Sequence, residues 1–379
     1  MTSTLDILDR LIGYDTVSAR SNLGLIDYVQ DYLSSRGFTL ERVTDPTGEK
    51  AGLFASIGPA GSGIMLSAHT DVVPVDGQDW TRPPFALTRE GDRLFGRGTT
   101  DMKGFLAAML NAADHAAKAP LKEPLKLAIS YDEEVGCLGI AHMIDRLAPG
   151  IGLPRACIVG EPTGMQVAIG HKGKQSLRVK CRGQSGHSAL APRFVNALHL
   201  GADVVIAMRT LQDWLASQGA RDTAYDVPYS TVHVGRMTAG TALNIVPDQA
   251  ELLMEFRHLA EDDPADLRAR IEADLVRIAA AYGGAARIDV EEIAAYPGLS
   301  TDPRAAFVAE LQAITGIDET AKVAFGTEAG FFDGLGIDTV VCGPGSMEGQ
   351  GHKPDEYITL DQLQACDSML ARVVEGLCR

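Results

Sequence analysis

The 379-residue chain lacks two features that would direct it to a membrane or to nucleic acid. No apolar stretch approaches the roughly 20 residues of a membrane-spanning helix, so we expect no membrane span. There is also no excess of positive charge. The formal net charge of −16 argues against binding nucleic acid or an anionic membrane, because both need a basic surface.

Disulfide and export signals are absent as well. The six cysteines show no CxxC spacing, and Cys157 and Cys342 fall inside buried-strand patterns, which favours reduced thiols. Residues 1–14 have an amphipathic helix pattern that contains Asp6 and Asp9, unlike a signal peptide. We therefore predict a cytoplasmic protein.

What is present is typical of a globular protein of more than one domain. Hydrophobic residues make up 45% of the chain and charged residues 22%. A chain of this length exceeds one ordinary hydrophobic core, so two domains are expected.

Three continuous apolar runs are each followed by residues that can bind a metal ion. Runs of this length, bounded by polar or turn residues, are typical of strands buried on both faces of a parallel sheet. Open α/β sheets bind ligands at the carboxyl ends of their strands, so we expect these residues to share one crevice. The runs and the residues that follow them are 64–68 before His69 and Asp71, 125–131 before Glu133 and Glu134, and 156–159 before Glu161.

Two further candidates are Asp101, after a glycine-rich loop, and His352, late in the chain. Each candidate alone has a simpler interpretation: Asp101 could cap the helix predicted from Gly104, and a lone histidine is more often a surface or core residue. Together, two imidazoles and several carboxylates suit zinc or a similar divalent ion.

The chemistry of such a site assigns different roles to its members. Two divalent ions close together need a bridging carboxylate and terminal histidine and carboxylate ligands. Neighbouring strand residues point in opposite directions, so only one of Glu133 and Glu134 need bind metal, and the other is available as a general base. Asp71, two residues after His69, could accept the second imidazole N–H and fix its tautomer.

Helix and strand patterns alternate to about residue 173, change, and resume near residue 294. The middle segment reads strand–helix–strand–strand–helix–strand, which suits a compact α+β unit with an antiparallel sheet. We therefore predict an α/β catalytic domain with a mixed, mainly parallel sheet and helices on both faces. Its two parts are residues 1–173 and 294–379, and residues 174–293 form an inserted domain.

Five short motifs resemble, in order and across nearly the whole chain, those of the zinc-dependent aminoacylase and deacetylase family. They are residues 67–74 (SAHTDVVP), 96–104 (GRGTTDMKG), 132–136 (DEEVG), 160–163 (GEPT) and 186–189 (GHSA). The resemblance implies a hydrolytic enzyme with two zinc ions per subunit, for which Co²⁺ or Mn²⁺ can substitute. It also implies a cis peptide bond between Asp101 and Met102.

The resemblance further implies a ligand for each metal position. Asp101 would bridge the two ions, and Glu133 would be the general base that activates a water bridging the zinc ions. The remaining ligands would be His69 and Glu161 for one ion, and Glu134 and His352 for the other.

By the same resemblance the insert is a dimerisation domain, so we expect a homodimer. His187 would reach the active site of the partner subunit and stabilise the oxyanion; a turn histidine is the alternative. Asn244 and Arg257 match positions that hold the carboxylate end of the substrate, a task for which the planar Arg side chain is suited. Arg257 could instead form an ion pair on the strand surface.

The loop that contains Gly326, Thr327 and Glu328 matches family positions at the substrate. An acidic residue there favours a substrate with a cationic tail, namely N2-acetyl-L-ornithine, hydrolysed to L-ornithine and acetate in arginine biosynthesis. A surface position without substrate contact is the alternative for Glu328. Succinylated diaminopimelate, or acylated amino acids in general, are the alternative substrates, and a catalytically silent binding protein is the alternative from another class.

Overall fold

The computed structural model describes residues 3–379. Within these residues the chain forms eighteen strands, ten α-helices and three short 3-10 helices. The strands are β1 (Thr39–Thr44), β2 (Ala51–Ile57), β3 (Ile64–His69), β4 (Thr88–Glu90), β5 (Arg93–Phe95), β6 (Leu125–Ser130), β7 (Ala156–Pro162), β8 (Val167–His171), β9 (Gly173–Arg182), β10 (Gly186–His187), β11 (Thr231–Ala239), β12 (Ile245–Val246), β13 (Gln249–His258), β14 (Arg287–Tyr296), β15 (Leu299–Ser300), β16 (Thr320–Val323), β17 (Asp338–Gly343) and β18 (Tyr357–Thr359).

The helices include the two that the sequence analysis predicts, in residues 1–14 and from near Gly104. The α-helices are α1 (Thr4–Ile12), α2 (Leu23–Ser34), α3 (Lys103–Ala116), α4 (Leu138–Met143), α5 (Leu147–Ile151), α6 (Ala197–Gln218), α7 (Pro264–Ala281), α8 (Ala306–Thr315), α9 (Ala329–Asp333) and α10 (Leu360–Gly376). The 3-10 helices are Ile144–Arg146, Ser188–Arg193 and Gly283–Ala285.

The chain divides into two compact units. The first comprises the chain up to Gly170 together with Leu299–Val323 and Thr327–Arg379. The second comprises His171–Gly298 with the short segment Ala324–Gly326, and it contains the segment 174–293 that we predict to be an insert.

The first unit is built on a mixed sheet, as predicted, and this sheet has nine strands. Its main path is β1-β2-β6-β3-β7-β17-β8-β15, and β16 pairs with β8. The central strands β6, β3, β7 and β17 are parallel neighbours, and antiparallel pairing begins at β2 on one side and β8 on the other. Every residue of β3, β6 and β7 is buried, which explains why the sequences of these strands are mostly apolar.

The helices of the first unit bury their apolar faces against this sheet and each other. The alanine-rich α3 packs against α1 and α10 and lies over β3 and β7. Nearly all of its residues are buried, because alanine lets neighbouring elements approach closely. The order of elements places α3 directly after the loop that contains Asp101.

The second unit is an α+β domain with its own core, as predicted. Its four-stranded antiparallel sheet has the order β11-β13-β9-β14. Buried residues alternate along β13, and they pack with the apolar faces of α6 and α7. Asn196 and Asp263 cap the first turns of these helices with their side chains, so local chemistry marks where both begin.

Two further expectations concern absent features. Within residues 3–379 no helix combines the length and the apolar character that crossing a bilayer requires. All six cysteines are free and five of them are buried, in line with the expected reduced thiols.

Candidate metal centre and active site

The strand ends of the first unit gather the predicted metal ligands. His69 ends β3, Glu134 follows β6 and Glu161 lies at the end of β7; these strands are adjacent and parallel. The sharp turn after β6 includes Asp132, whose φ of 54° is unusual for a residue other than glycine. This turn directs the chain so that Glu133 and Glu134 lie at the carboxyl ends of the parallel strands.

Asp101 lies between two pairs of donor side chains. Its Oδ1 is 3.2 Å from His69 Nε2, and that nitrogen is 3.5 Å from Glu161 Oε1. Its Oδ2 is 3.0 Å from His352 Nε2, and that nitrogen is 3.1 Å from Glu134 Oε2. Each carboxylate oxygen of Asp101 therefore faces one histidine–glutamate pair. The Asp101–Met102 peptide bond is cis, as predicted.

These separations fit a pair of metal ions. Two ligand atoms on a tetrahedral zinc ion, each about 2.0–2.2 Å from the metal, lie about 3.4 Å apart. The four distances of 3.0–3.5 Å in the cluster match that spacing. In addition, Glu161 Oε1 is buried without a hydrogen-bond partner among the described residues, as expected for an atom that binds an ion.

The electrostatics of the cluster also call for cations. Burial raises the pKa of Glu161 well above its usual range, and the neighbouring carboxylate of Asp101 raises it further. Burial likewise raises the pKa of Glu134 to about 7. Hydrogen bonds to Asp101 and Glu134 raise the pKa of His352 to about 10. Carboxylates packed this closely need protons or metal ions between them.

Asp71 supports the cluster from outside it. The His69 Nδ1 atom is 3.0 Å from the Asp71 carbonyl oxygen and 3.4 Å from its Oδ1. The nearer acceptor is therefore the main chain and not the carboxylate that we predicted. The Asp71 carboxylate accepts hydrogen bonds from the amides of Glu133 and Glu134 and from the hydroxyl of Ser18. Through these contacts Asp71 orders both the segment that contains His69 and the segment that contains Glu133 and Glu134.

Glu133 lies beside the cluster with its carboxylate partly buried. Its oxygen belongs to a group of donor atoms with His69 and Glu161 that lie within 4.8 Å of one another. Burial raises its pKa well above the usual range. The Cys137 thiol, 3.5 Å from Glu133 Oε1, donates to it, a contact that no sequence motif indicated.

Glu328 is 1% exposed, so the alternative of a surface carboxylate is wrong. Its Oε2 lies 3.5 Å from the Ser67 hydroxyl, and Oε1 has no hydrogen-bond partner among the described residues. Burial raises the pKa of Glu328 to about 7. The preceding Thr327 is also buried. Gly326 belongs to the second unit, where a side chain in its place would collide with the Tyr296 ring.

The remaining predicted residues lie in the second unit. His187 and Asn244 are neighbours: β10 pairs with β12, and the Ser188 amide donates to the Asn244 carbonyl oxygen at 3.1 Å. Both residues are exposed. The Ala189 amide donates to His187 Nδ1, which leaves the ring proton on Nε2.

Arg257 lies elsewhere in the second unit, on β13. It is half-buried, and its Nε donates to Glu255 Oε1 at 3.0 Å on the same strand. The ion pair that we weighed as an alternative is therefore present. This pair engages Nε, and the Arg257 side chain also forms a hydrogen bond with Tyr296.

Comparison with known proteins identifies the class. The sequence model of Peptidase family M20/M25/M40 matches residues 65–376, so the chain belongs to this family. It is therefore a metal-dependent hydrolase, and the predicted family resemblance is confirmed.

Individual relatives extend this result. An acetylornithine deacetylase of Shigella sonnei is 33% identical over 99% of this chain and 97% of its own length. An M20 metallo-carboxypeptidase from Sulfolobus solfataricus has the same fold, with a TM-score of 0.81 at 20% identity over 100% of both chains. A dinuclear metal-binding M20 peptidase from Bacillus subtilis gives a TM-score of 0.69 at 15% identity, over 98% of this chain and 96% of its own.

Proposed function

We propose that the protein is a homodimeric di-zinc amidohydrolase that releases acetate from N2-acetyl-L-ornithine, in arginine biosynthesis in the cytoplasm. The observation that carries the catalytic part is the position of Asp101, each of whose oxygens faces a histidine–glutamate pair. Support for the substrate comes from the acetylornithine deacetylase relative, which matches nearly the whole chain.

Five residues would hold the metal pair: Asp101 between the ions, His69 and Glu161 on one side, Glu134 and His352 on the other. Zinc ions bound there would lower the pKa of the attacking water and polarise the amide carbonyl. Co²⁺ and Mn²⁺ also suit these ligands.

Glu133 acts as the general base and then as the general acid. Its carboxylate takes a proton from the attacking water and delivers it to the nitrogen of the departing amine. Burial raises its pKa well above the usual range, which makes its carboxylate a stronger base toward the attacking water. The Cys137 thiol and the Asp71 contact to its amide keep Glu133 in place.

His187 of one subunit stabilises the oxyanion in the active site of the other. Its Nε2–H is a donor of the type that such a site uses, because Nδ1 is occupied by the Ala189 amide. Dimerisation through the second unit is supported by two features there. Strand β11 is an unpaired edge of the four-stranded sheet, and Ile206 on α6 is 58% exposed.

The substrate is held at both ends. Asn244 and Arg257 bind its α-carboxylate, for which Arg offers a planar pair of donors. Glu328 binds the distal ammonium, since its buried Oε1 lacks a partner and a cation would supply one. Gly326 and Thr327 determine the shape of the loop that leads to Glu328.

Steady-state kinetics test the substrate. We expect kcat/KM for N2-acetyl-L-ornithine to exceed that for N-acetyl-L-methionine and N-succinyl-L,L-diaminopimelate by about tenfold or more, with the zinc-loaded enzyme. A preference for the succinylated substrate would make the protein a desuccinylase. Equal rates on all acylated amino acids would make it a broad aminoacylase.

A further inference from the structure

A buried ion pair next to the Asp101 loop is not used by the steps described above. The Arg97 and Glu356 side chains are 1% and 0% exposed, and Arg97 Nη1 donates to Glu356 Oε2 at 2.7 Å. A buried ion pair is weak evidence for a stabilising role, because loss of hydration offsets the attraction of the charges. Its other contacts indicate what it does.

Glu356 holds the main chain of the loop that contains Asp101. Its Oε1 accepts hydrogen bonds from the amides of Thr100 at 2.9 Å and Asp101 at 3.1 Å. Its carbonyl oxygen accepts the Gly96 amide at 2.9 Å. The residue with the bridging carboxylate is therefore fixed through its own amide.

Arg97 holds the loop that contains His352. Its Nη1 also donates to the Lys353 carbonyl oxygen at 3.4 Å, and its Nη2 donates to Gln78 Oε1 at 2.5 Å. Gln78 in turn donates to the His352 carbonyl oxygen at 3.3 Å.

This loop needs such contacts. His352 has a φ of 59° and Asp355 a φ of 53°, a backbone region that is unfavourable for residues other than glycine. Without neighbours to hold it, a segment with two such residues would relax to a more favourable backbone conformation.

We propose that the Arg97–Glu356 pair is a positioning device that sets the separation of Asp101 and His352 for metal binding. One member contacts the Asp101 amide, the other contacts the His352 loop, and the hydrogen bond between them joins the two. The inference rests on the proposed function, because it takes Asp101 and His352 to be metal ligands.

The test is a Co²⁺ titration of the chelator-stripped protein and of its Glu356→Gln variant, followed by the visible absorption of bound Co²⁺. An amide has one acceptor oxygen, so its NH₂ group would face either Arg97 or the two main-chain amides, all of which are donors. We expect the Kd of the weaker-bound ion to rise at least about tenfold, as is typical when a residue that orients a ligand is changed. The absorption spectrum should change as well, which a purely structural role would not cause.

Asp355→Asn is the matched control. Its carboxylate lies in the same loop and holds Thr81, but it makes no hydrogen bond to Asp101 among the described residues. We expect a change in Kd below about twofold. If Glu356→Gln does not fold, by circular dichroism, Arg97→Lys provides the test. It keeps the charge but loses the planar fork that donates from Nη1 to Glu356 and from Nη2 to Gln78, and it should weaken Co²⁺ binding several-fold.

Three outcomes would overturn the inference. The first is a wild-type Kd and spectrum in Glu356→Gln and Arg97→Lys. The second is an equal loss in Asp355→Asn, which would mean that any damage to the loop suffices. The third is a wild-type protein that takes up fewer than two equivalents of Co²⁺. That result would refute the proposed function itself, and the inference with it.

Discussion

The two units of the protein hold their functional residues in different ways. In the first unit His69 and Asp101 are buried, and each side chain lies close to at least two others of the cluster. In the second unit His187 and Asn244 are exposed on a two-stranded ribbon, and the adjacent Leu243 is fully exposed.

The functional residues of the two units are therefore held in place by different causes. The geometry of the first site is determined by the fold, because strand ends and hydrogen bonds within the unit position each ligand. His187 and Asn244 in the second unit are exposed, so another molecule can contact them. We infer that substrate or a partner subunit completes their environment, and the following experiments test this contrast.

The largest effect is expected from Glu133→Gln. Activity should fall at least about a thousandfold, because base catalysis and water positioning are lost. Metal content, measured by atomic emission, should stay near two per subunit. Glu134→Gln is the control and should lose metal together with activity. The reverse pattern would exchange the roles of the two residues.

A smaller loss, about a hundredfold in kcat, is expected from His187→Ala, which removes one oxyanion donor. Both metals and the dimer should remain, as measured by metal analysis and light scattering. A mixed dimer of Glu133→Ala and His187→Ala subunits should retain one active site, because each site takes these residues from different chains. An inactive mixed dimer would place both in one chain's site.

Glu328→Gln should lower kcat/KM for N2-acetyl-L-ornithine by about tenfold or more, through loss of the contact to the distal ammonium. N-acetyl-L-methionine, which has a neutral side chain, should be affected little. The exposed Glu319, changed to Gln, is the control and should leave both substrates unaffected. Equal losses on the two substrates would mean that Glu328 acts on the metal centre and not on selectivity.

The smallest effect concerns stability and pH in the metal-free protein. Burial raises the pKa of Glu134 and of Glu328 to about 7, above the value of about 4.3 in an unfolded chain. The folded state then binds these two protons more tightly, so the stability that Glu134 and Glu328 contribute is fully present below about pH 4 and is lost as the pH rises through about 7. The chelated protein should lose roughly 5 °C or more in Tm between about pH 5 and pH 8.

A metal ion replaces the proton on Glu134, so the zinc-loaded protein should show a smaller fall in Tm in scanning calorimetry. The Glu328→Gln variant should show a shallower fall than the wild type when both are metal-free. A chelated protein that gained stability over this pH range would contradict the assigned burial of these carboxylates.

Buried strands and capped helices were predictable from sequence for a physical reason. The residues of β3, β6 and β7 are buried throughout and mostly apolar, because both faces of the sheet are covered. Asn196 and Asp263 mark helix starts by their own chemistry. The antiparallel β1 was not predicted, because its residues are mostly exposed or half-buried and show no apolar run.

Contacts around the metal centre were less predictable. Four metal ligands are recognisable because each belongs to a local motif, whereas His352 was assigned only through the family resemblance. The Arg97–Glu356 pair and the burial of Glu328 depend on residues far apart in sequence that meet only in the fold. No local pattern encodes such pairs.

The position of β17 has a consequence for synthesis of the chain on the ribosome. Strands β9, β11, β13 and β14 lie within one continuous segment, residues 173–296, so the sheet of the second unit can form as soon as that segment emerges. Strand β17 is made much later, yet its place is between β7 and β8. Until it arrives, two strand edges are open to pairing with other chains.

We therefore expect the nascent protein to be most prone to aggregation after the second unit is complete and before residue 338 is made. His352 lies beyond that point, so the cluster gains its last ligand only after this vulnerable interval has ended.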